Sequence, residues 1–215
     1  MSAAQAPSAR QVPPPQSPTS SPVPAAAPGS SFADPAPLGL AAFALTTFVL
    51  SFANANIIKV EPVVFGLALA YGGIAQLAAG MWEFAKGNTF GATAFSSYGA
   101  FWLSFWYLTG HTDLGSTNAN DIGNSLGLFL LAWAIFTAYM TVAATRVSNA
   151  VLAVFALLTI TFALLAWGDF AASHTVTHVG GWFGIATALA AWYASLGGVT
   201  AFTHGKAIVP TGPRE

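Results

Sequence analysis

The stretch VSNAVLAVFALLTITFALLAWG, residues 147–168, contains no charged side chain and no proline. A run of roughly 20 apolar residues, at about 1.5 Å per residue in a helix, crosses the ~30 Å hydrocarbon core of a bilayer. Backbone N–H and C=O groups in lipid must pair with each other, and a helix pairs them within one segment. We therefore predict a membrane-spanning helix over this stretch.

Further stretches of the same kind occur along the chain, at residues 37–58, 62–82, 89–110, 122–145 and 179–203. The chain as a whole is 55% hydrophobic and only 6% charged, whereas an ordinary soluble domain has about 25% charged residues. The sequence predicts an all-α integral membrane protein with six transmembrane helices in a bundle.

The first part of the chain has a different composition, because most of the 13 prolines lie before residue 38, among alanine and serine. Such segments bury too little apolar surface to offset the entropy of ordering. We expect residues 1–33 to be a disordered cytoplasmic tail, residues 34–204 to be the six-helix transmembrane domain, and residues 205–215 to be a short cytoplasmic C-terminal tail.

The basic residues predict the orientation of the bundle. Those on the side of the two chain ends are Arg10, Lys86, Arg146, Lys206 and Arg214, and Lys59 lies on the opposite side. Because Lys and Arg are enriched in cytoplasmic segments, both termini are expected in the cytoplasm and the protein in the plasma membrane.

Several functional classes are excluded by composition. The net charge of -1 provides no basic patch for nucleic acid, and the absence of cysteine excludes disulfides and thiolate chemistry. No helix-centre serine or acid has a histidine or second carboxylate at a suitable spacing, so an enzyme is not expected. His174 and His178 are four residues apart, with Asp169 nearby, but a metal site would need a further ligand. We expect neither metal nor cofactor.

Three separate motifs carry a resemblance to a known family. They are DPAPLGL at 34–40, followed by Phe43 and Thr46-Thr47, then YGGIAQ at 71–76, and GNTFGATAFSSYGAFW at 87–102. In this order they resemble the acetate uptake transporter family, which includes bacterial succinate–acetate permeases and fungal acetate and ammonium-export related proteins. The first motif consists of Asp34, Pro35, Ala36, Pro37, Leu38, Gly39 and Leu40. The family usually has Asn at the position of Asp34.

The resemblance implies a function and an assembly. It implies membrane transport of acetate, extending to succinate and other small monocarboxylates, through a narrow pathway in each protomer of a hexamer. The partners would be the small carboxylate, the lipid bilayer and further copies of the chain, with no nucleic acid. By the same resemblance, an aromatic and aliphatic constriction is expected at Phe43, Tyr98 and Leu158.

Polar residues within the helices are the other candidates for the pathway. Phe43, Thr47, Leu50 and Asn54 are spaced to share one face of the first helix, and the third helix has a run of hydroxyls near its middle. These groups could instead bond their own backbone, as Thr47 could four residues back, or one another. The polar residues predicted to line the pathway are Thr47, Asn54, Gln76, Thr93 and Ser97.

Two acids lie near the cytoplasmic end. Glu83 is three residues from Lys86, which suits either an interfacial ion pair or a proton-sensitive group at the inner mouth. Asp34 is a good cap for the first helix, and it is a second titratable group at that mouth.

A shortage of cations suggests the mechanism. Between residues 38 and 203 no Lys or Arg lies away from the predicted helix ends, and a bare carboxylate crossing an apolar constriction is costly. Either neutral donors solvate the anion, or the protonated acid crosses; we favour net transfer of one proton with one acetate. The alternatives are a channel for another small solute, such as urea or ammonia, and a membrane scaffold that transports nothing.

Overall fold

The computed structural model describes residues 32–59, 62–113, 115 and 117–214. The tail predicted over residues 1–33 lies outside the described residues except for its last two positions. The segment Ala33–Glu215 forms one compact unit, and all that follows concerns the described residues of this unit.

The described residues form six long helices and no β-strand, which confirms the predicted fold class. We number them α1 Ala36–Asn54, α2 Val63–Lys86, α3 Thr89–His111, α4 Ala119–Ala144, α5 Asn149–Phe170 and α6 His174–His204. All except α3 are long and apolar enough to cross a membrane. Helix α3 has 23 residues and no Asp, Glu, Lys or Arg, but its hydroxyls make it less apolar.

Some helices begin or end at residues other than the predicted ones, because local hydrogen bonds determine where a helix begins and ends. Helix α6 begins at His174, five residues before the predicted start at 179, so His174 and His178 lie in helix rather than loop. Helix α2 continues to Lys86, where Gly87 with φ of 80° ends it in the left-handed conformation that glycine adopts without strain. Asn88 then caps α3 by accepting a hydrogen bond from Gly91 N at 3.1 Å.

Helix α2 is interrupted by a π-helical segment, Ala70–Ala75. This segment holds the glycines of the YGGIAQ motif, and a Cβ at Gly72 would lie 2.6 Å from Thr46 Oγ1 on α1. Single π-turns are rare and occur frequently at functional sites. The small residues here allow α1 and α2 to approach closely.

The helices pack in a partial ring. Helix α1 contacts α6 and α2, α5 contacts both α4 and α6, and α2 contacts α3. The backbones of α3 and α4 lie further apart, and aromatic side chains fill the space between them. Phe101 of α3 has ring-centroid distances of 5.8 Å to Phe129 and 5.2 Å to Trp133 of α4.

The segment after α6 folds back onto the start of α5. The N–H groups of Asn149 and Ala150 donate to the carbonyls of Gly212 and Thr211 at 2.8 and 3.0 Å. Tyr193 Oη donates to the carbonyl of Pro210 at 2.7 Å. The first N–H groups of a helix have no partner within it, so residues 205–214 complete the hydrogen bonding of α5.

We call the end of the bundle with Asp34, residues 145–148 and residues 205–214 the terminal end. The opposite end, with the turn 171–173, is the distal end.

Candidate functional site

A large cavity of about 190 Å³ lies inside the bundle towards its distal end. Every helix except α2 contributes to its wall, and most of the side chains are apolar. The four α1 residues predicted to share a face, Phe43, Thr47, Leu50 and Asn54, all border it. The remaining lining residues are Ser51, Phe101, Trp102, Phe105, Thr109, Leu126, Phe129, Leu130, Leu158, Thr161, Phe162, Leu165, Asp169 and Thr177.

A second, much smaller cavity of about 20 Å³ is bordered by α1, α2, α3 and α5. This volume holds about one water molecule. Phe43 and Leu158 border both cavities, and Tyr98 borders the small one, with its ring centroid 5.6 Å from that of Phe43. The structure thus brings Phe43, Tyr98 and Leu158 together, at a point where the interior narrows from the large cavity to space for one water molecule.

The Tyr98 ring is held by α4. Its hydroxyl is 2.9 Å from Thr137 Oγ1, and the Thr137 hydroxyl donates to the carbonyl of Trp133 at 2.7 Å. Because Thr137 has only one hydroxyl proton, Tyr98 is the donor to Thr137. This bond fixes the ring beside the small cavity.

Thr47 and Gln76 have unused hydrogen-bonding capacity. Both are buried, and neither Thr47 Oγ1 nor either polar atom of the Gln76 side chain has a partner among the described residues. The neighbouring Thr46, rather than Thr47, donates to the carbonyl four residues earlier. Thr47 borders the large cavity and Gln76 the small one.

Thr93 and Ser97 are placed differently from the prediction. Both are half-buried and border neither cavity. Successive residues of a helix are about 100° apart, so Ser97 points away from the direction of Tyr98. Ser96 packs against Gly80 of α2. The hydroxyls of α3 therefore do not line one path.

Glu83 is fully buried between α2 and α3, beside Gly91, and neither carboxylate oxygen has a hydrogen-bond partner in the described part of the chain. Lys86 pairs instead with Asp34, Nζ to Oδ1 at 2.8 Å. The ion pair between Glu83 and Lys86 considered from the sequence is not formed, because Glu83 faces α3 whereas Lys86 reaches the exposed start of α1. Neither acid borders the two cavities.

The N-cap of α1 is Pro35 and not Asp34 as predicted. Asp34 nevertheless contacts the start of this helix. Its Oδ1 accepts a hydrogen bond from Ala36 N at 3.1 Å, and Gly39 N donates to the carbonyl of Pro35 at 3.1 Å. Asp34 thus fixes the start of α1 as well as joining it to the end of α2.

Trp102 and Asp169 are among the residues of the large cavity that the sequence did not assign to the pathway. Trp102 Nε1 is a buried donor without a partner among the described residues, and its position in the GNTFGATAFSSYGAFW motif was the only signal for it. Asp169 was considered only as a metal neighbour. His174 and His178 have ring centroids 6.5 Å apart, and the described residues contain no group of three or more ligands that could hold a metal ion.

A third cavity, which we call the distal vestibule, lies at the distal end. Its volume of about 420 Å³ exceeds the 190 Å³ of the large cavity, which is large only in comparison with the small cavity beside it. Asp169 and Thr177 border both this vestibule and the large cavity. The other lining residues are Ala119, Asn120, Gly123, Asn124, Gly168, Phe170, Ala172, Ser173 and His174. The three cavities form a series from the distal end to Gln76.

The sequence profile of the GPR1/FUN34/yaaH family matches residues 17–213. The chain belongs to the GPR1/FUN34/yaaH family. This confirms the resemblance stated from the three motifs. The chain is similar in structure to the bacterial acetate channel SatP, with a TM-score of 0.79 and 38% identity over 84% of this chain and 99% of that one.

Some relatives of the chain have names that describe transport. The chain is 38% identical to the succinate-acetate/proton symporter SatP of Escherichia coli over 85% of this chain and 97% of the relative. It is 45% identical to acetate permease A of Emericella nidulans, over 83% of this chain and 65% of the relative. It is 46% identical to ammonia transport outward protein 2 of Saccharomyces cerevisiae, over 81% of this chain and 64% of the relative. The chain thus spans less than two thirds of the length of these fungal relatives.

Proposed function

We propose that this integral membrane protein moves acetate across the membrane, one proton accompanying each acetate. The pathway runs from the distal vestibule through the large cavity, past Phe43, Tyr98 and Leu158, to the small cavity and the terminal end. The names of the bacterial and Emericella relatives support acetate as the substrate. The transport names of these relatives favour a transporter rather than an enzyme.

The observation that carries the proposal is the absence of a cation along this series. No Lys or Arg borders any of the three cavities in the described part of the chain, and Phe43 and Leu158 separate the large cavity from space for one water molecule. A carboxylate losing its water here would have no positive partner. A neutral acid needs only hydrogen bonds, and Thr47, Gln76 and Trp102 have atoms free to make them.

The small size of the constriction supports acetate over larger acids. The methyl group of acetate fits between apolar side chains, whereas a dicarboxylate such as succinate would bring a second polar group that finds no partner on Phe43 or Leu158. We propose that succinate passes more slowly. Glu83 and Asp34, away from the cavities, would act indirectly, through the packing and charge of the terminal end.

The proposal is tested with the full chain in liposomes and labelled acetate, with the lumen more alkaline than the medium. Acetic acid also crosses lipid unaided, so empty liposomes and a Leu158→Trp variant serve as controls. Wild-type protein should raise the initial uptake several-fold over empty liposomes, and Leu158→Trp, which fills the constriction, should return it to the empty level. Equal uptake with wild-type protein and with empty liposomes would contradict the proposal and favour a scaffold.

A second candidate is a channel for ammonia, which the name of the Saccharomyces relative supports. Ammonia permeation is followed by the alkaline shift of a dye in the liposome lumen after an ammonium pulse. An alkaline shift accelerated by the protein, without faster acetate uptake, would favour this candidate. A channel for urea would accelerate the uptake of labelled urea without accelerating the uptake of acetate.

The membrane orientation and the assembly are part of the proposal. Lys86, Arg146, Lys206 and Arg214, with Arg10 in the tail, support a cytoplasmic terminal end in the plasma membrane. The chain has no cysteine, so single cysteines at Lys206 and Asp113 can be labelled in intact cells with an impermeant maleimide. Only the cysteine at 113 should react. A hexamer should appear as six chain masses in native mass spectrometry from mild detergent.

A further inference from the structure

The threshold between the distal vestibule and the large cavity contains a carboxylate that the proposed pathway does not yet use. Asp169 lies in the last turn of α5 and is half-buried. Together with Thr177 of α6 it borders both cavities, so a solute that passes from one to the other passes these two side chains.

The charge of Asp169 is not balanced by its surroundings. No described residue forms a salt bridge with it, and none is found to donate a hydrogen bond to its carboxylate. The α4 residues that border the vestibule are all neutral: Ala119, Asn120, Gly123 and Asn124. Asn54 at the end of α1, which borders the large cavity, is neutral as well.

The ionisable groups near Asp169 are few within the described residues. His174, in the first turn of α6, borders the vestibule, whereas His178 borders neither cavity. Asp121 of α4 borders a separate crevice with Leu108 and Ile122. A solute at the threshold therefore meets one carboxylate, one hydroxyl, and neighbouring amides.

We infer that Asp169 is a charge filter at this threshold, which holds back small carboxylates and admits the neutral carboxylic acid. The inference rests on the proposed function and names the form of the substrate that enters. Two like charges a few ångströms apart repel strongly where apolar walls limit screening by water. The neutral acid avoids this repulsion, and its hydroxyl can donate to Asp169 while its carbonyl oxygen accepts from a side-chain amide such as that of Asn124.

Asp169→Asn tests the filter, because it removes the charge of the side chain but keeps its size. In liposomes at pH 7.5, where the anion is in large excess over the neutral acid, Asp169→Asn should let the anion enter the large cavity and take up its proton there, before the constriction. Acetate uptake should then rise by about three- to tenfold over wild type. The increase should shrink towards pH 5, because carboxyl groups take up protons as the pH falls. Acetamide, a neutral molecule of the same shape, should permeate wild-type protein and variant equally.

Matched variants separate the filter from structural effects. Asp121→Asn removes a carboxylate that lies on α4, also at the distal end of the bundle, but borders neither of these two cavities. This substitution should leave acetate uptake unchanged. Asn124→Asp adds a second carboxylate to the exposed wall of the vestibule and should lower acetate uptake at pH 7.5 without changing acetamide. In a His174→Gln background the increase from Asp169→Asn should persist.

The outcomes distinguish the two proposals. If wild-type protein takes up no acetate above empty liposomes, the proposed function fails. If wild-type protein transports acetate but Asp169→Asn, with wild-type folding by circular dichroism, leaves or lowers uptake at pH 7.5, the filter is overturned. The filter is also overturned if acetamide responds as acetate does, or if the increase disappears in the His174→Gln background. Should Asp169→Asn not fold, an Asn124→Asp variant with unchanged acetate uptake overturns it.

Discussion

Tyr98 Oη and Thr137 Oγ1 are 2.9 Å apart in the protein interior, and this hydrogen bond joins α3 to α4 where their backbones do not meet. The bond leaves the ring of Tyr98 between Phe43 and the aromatic residues of α4, including Phe136 at a centroid distance of 5.5 Å. One side of the constriction thus depends on a contact to a helix that does not itself border the small cavity.

Tyr98→Phe removes this bond but keeps the ring. We expect a loss of about 1 kcal/mol in stability, the usual net contribution of one buried hydrogen bond. Unfolding in mild detergent, followed by circular dichroism, measures the loss. Tyr139→Phe on the exposed side of α4 is the matched control and should change little; equal effects of the two substitutions would show that the Thr137 contact contributes nothing.

Leu158→Ala tests the width of the constriction. Removing the side chain of this buried leucine should cost about 2 to 5 kcal/mol of stability, so the milder Leu158→Val accompanies it. Both should raise the ratio of labelled succinate uptake to acetate uptake in liposomes, Ala more than Val. Ile160→Ala, on the exposed side of α5, should leave the ratio unchanged. An unaltered ratio in both Leu158 variants would remove Leu158 from the proposed pathway.

Gly99→Ala tests the close approach of α2 and α3. The added Cβ would lie 2.7 Å from the backbone nitrogen of Leu77, which cannot move without shifting α2. We expect a loss of about 1 to 3 kcal/mol from overpacking. At Gly66 a Cβ would meet nothing within 4 Å, so Gly66→Ala should be neutral or slightly stabilising through helix propensity. Thermal unfolding of both variants measures these changes in stability, and equal unfolding midpoints would contradict the prediction.

The Asp34–Lys86 pair is suited to a double-mutant cycle. Its side chains are 54% and 31% exposed, and exposed pairs contribute about 0.2 to 1 kcal/mol. Asp34→Asn keeps an oxygen that can accept from Ala36 N and should lose only the coupling with Lys86, whereas Asp34→Ala should also lose this hydrogen bond, about 0.5 to 1.5 kcal/mol. The coupling should decrease as salt is raised from 50 mM to 1 M, in line with ~3 Å screening at the higher value. A coupling that does not respond to salt would argue against an ion pair.

Glu83→Gln tests whether the buried acid stabilises the fold. A buried carboxylate without hydrogen-bond partners is costly, so the neutral amide of the same shape should leave the unfolding midpoint at pH 7.5 equal or raised. Asp113→Asn in an exposed segment is the control for simple loss of charge. A clear fall in the midpoint with Glu83→Gln alone would mean that the charged form has a favourable partner.

The sequence predicted the helices well because their signal is composition over roughly 20 residues. Long apolar runs such as 147–168 place a helix to within a few residues whatever it packs against. The ends were less predictable, since the early start of α6 at His174 depends on a turn closed by Ser173 N donating to the carbonyl of Gly168 at 2.8 Å. A helix end is set by such local contacts, which hydropathy does not report.

The site residues were predictable where they lie in motifs, as with Phe43 and Tyr98, and less so where the direction of a side chain matters. Thr93 and Ser97 share a helix with Tyr98 but border neither cavity, because position along a helix does not reveal which face meets the interior. Glu83 lies near Lys86 in sequence, yet the lysine pairs across the bundle with Asp34. The role proposed for Asp169 depends on its position between two cavities, which the sequence does not reveal.

The π-helical segment Ala70–Ala75 has a consequence for comparing chain lengths among relatives. A π-turn holds one residue more than an α-turn, so the extra residue is absorbed within the turn, and Gln76–Lys86 keep the register that a continuous α-helix one residue shorter would give them. Deleting a single residue there and closing the turn to an α-turn would therefore leave Gln76 at the small cavity and Glu83 in its buried position. A one-residue gap between 70 and 75 in an aligned relative is thus compatible with the same inner wall, whereas a one-residue gap in the regular part of α2 would rotate everything after it by about 100°.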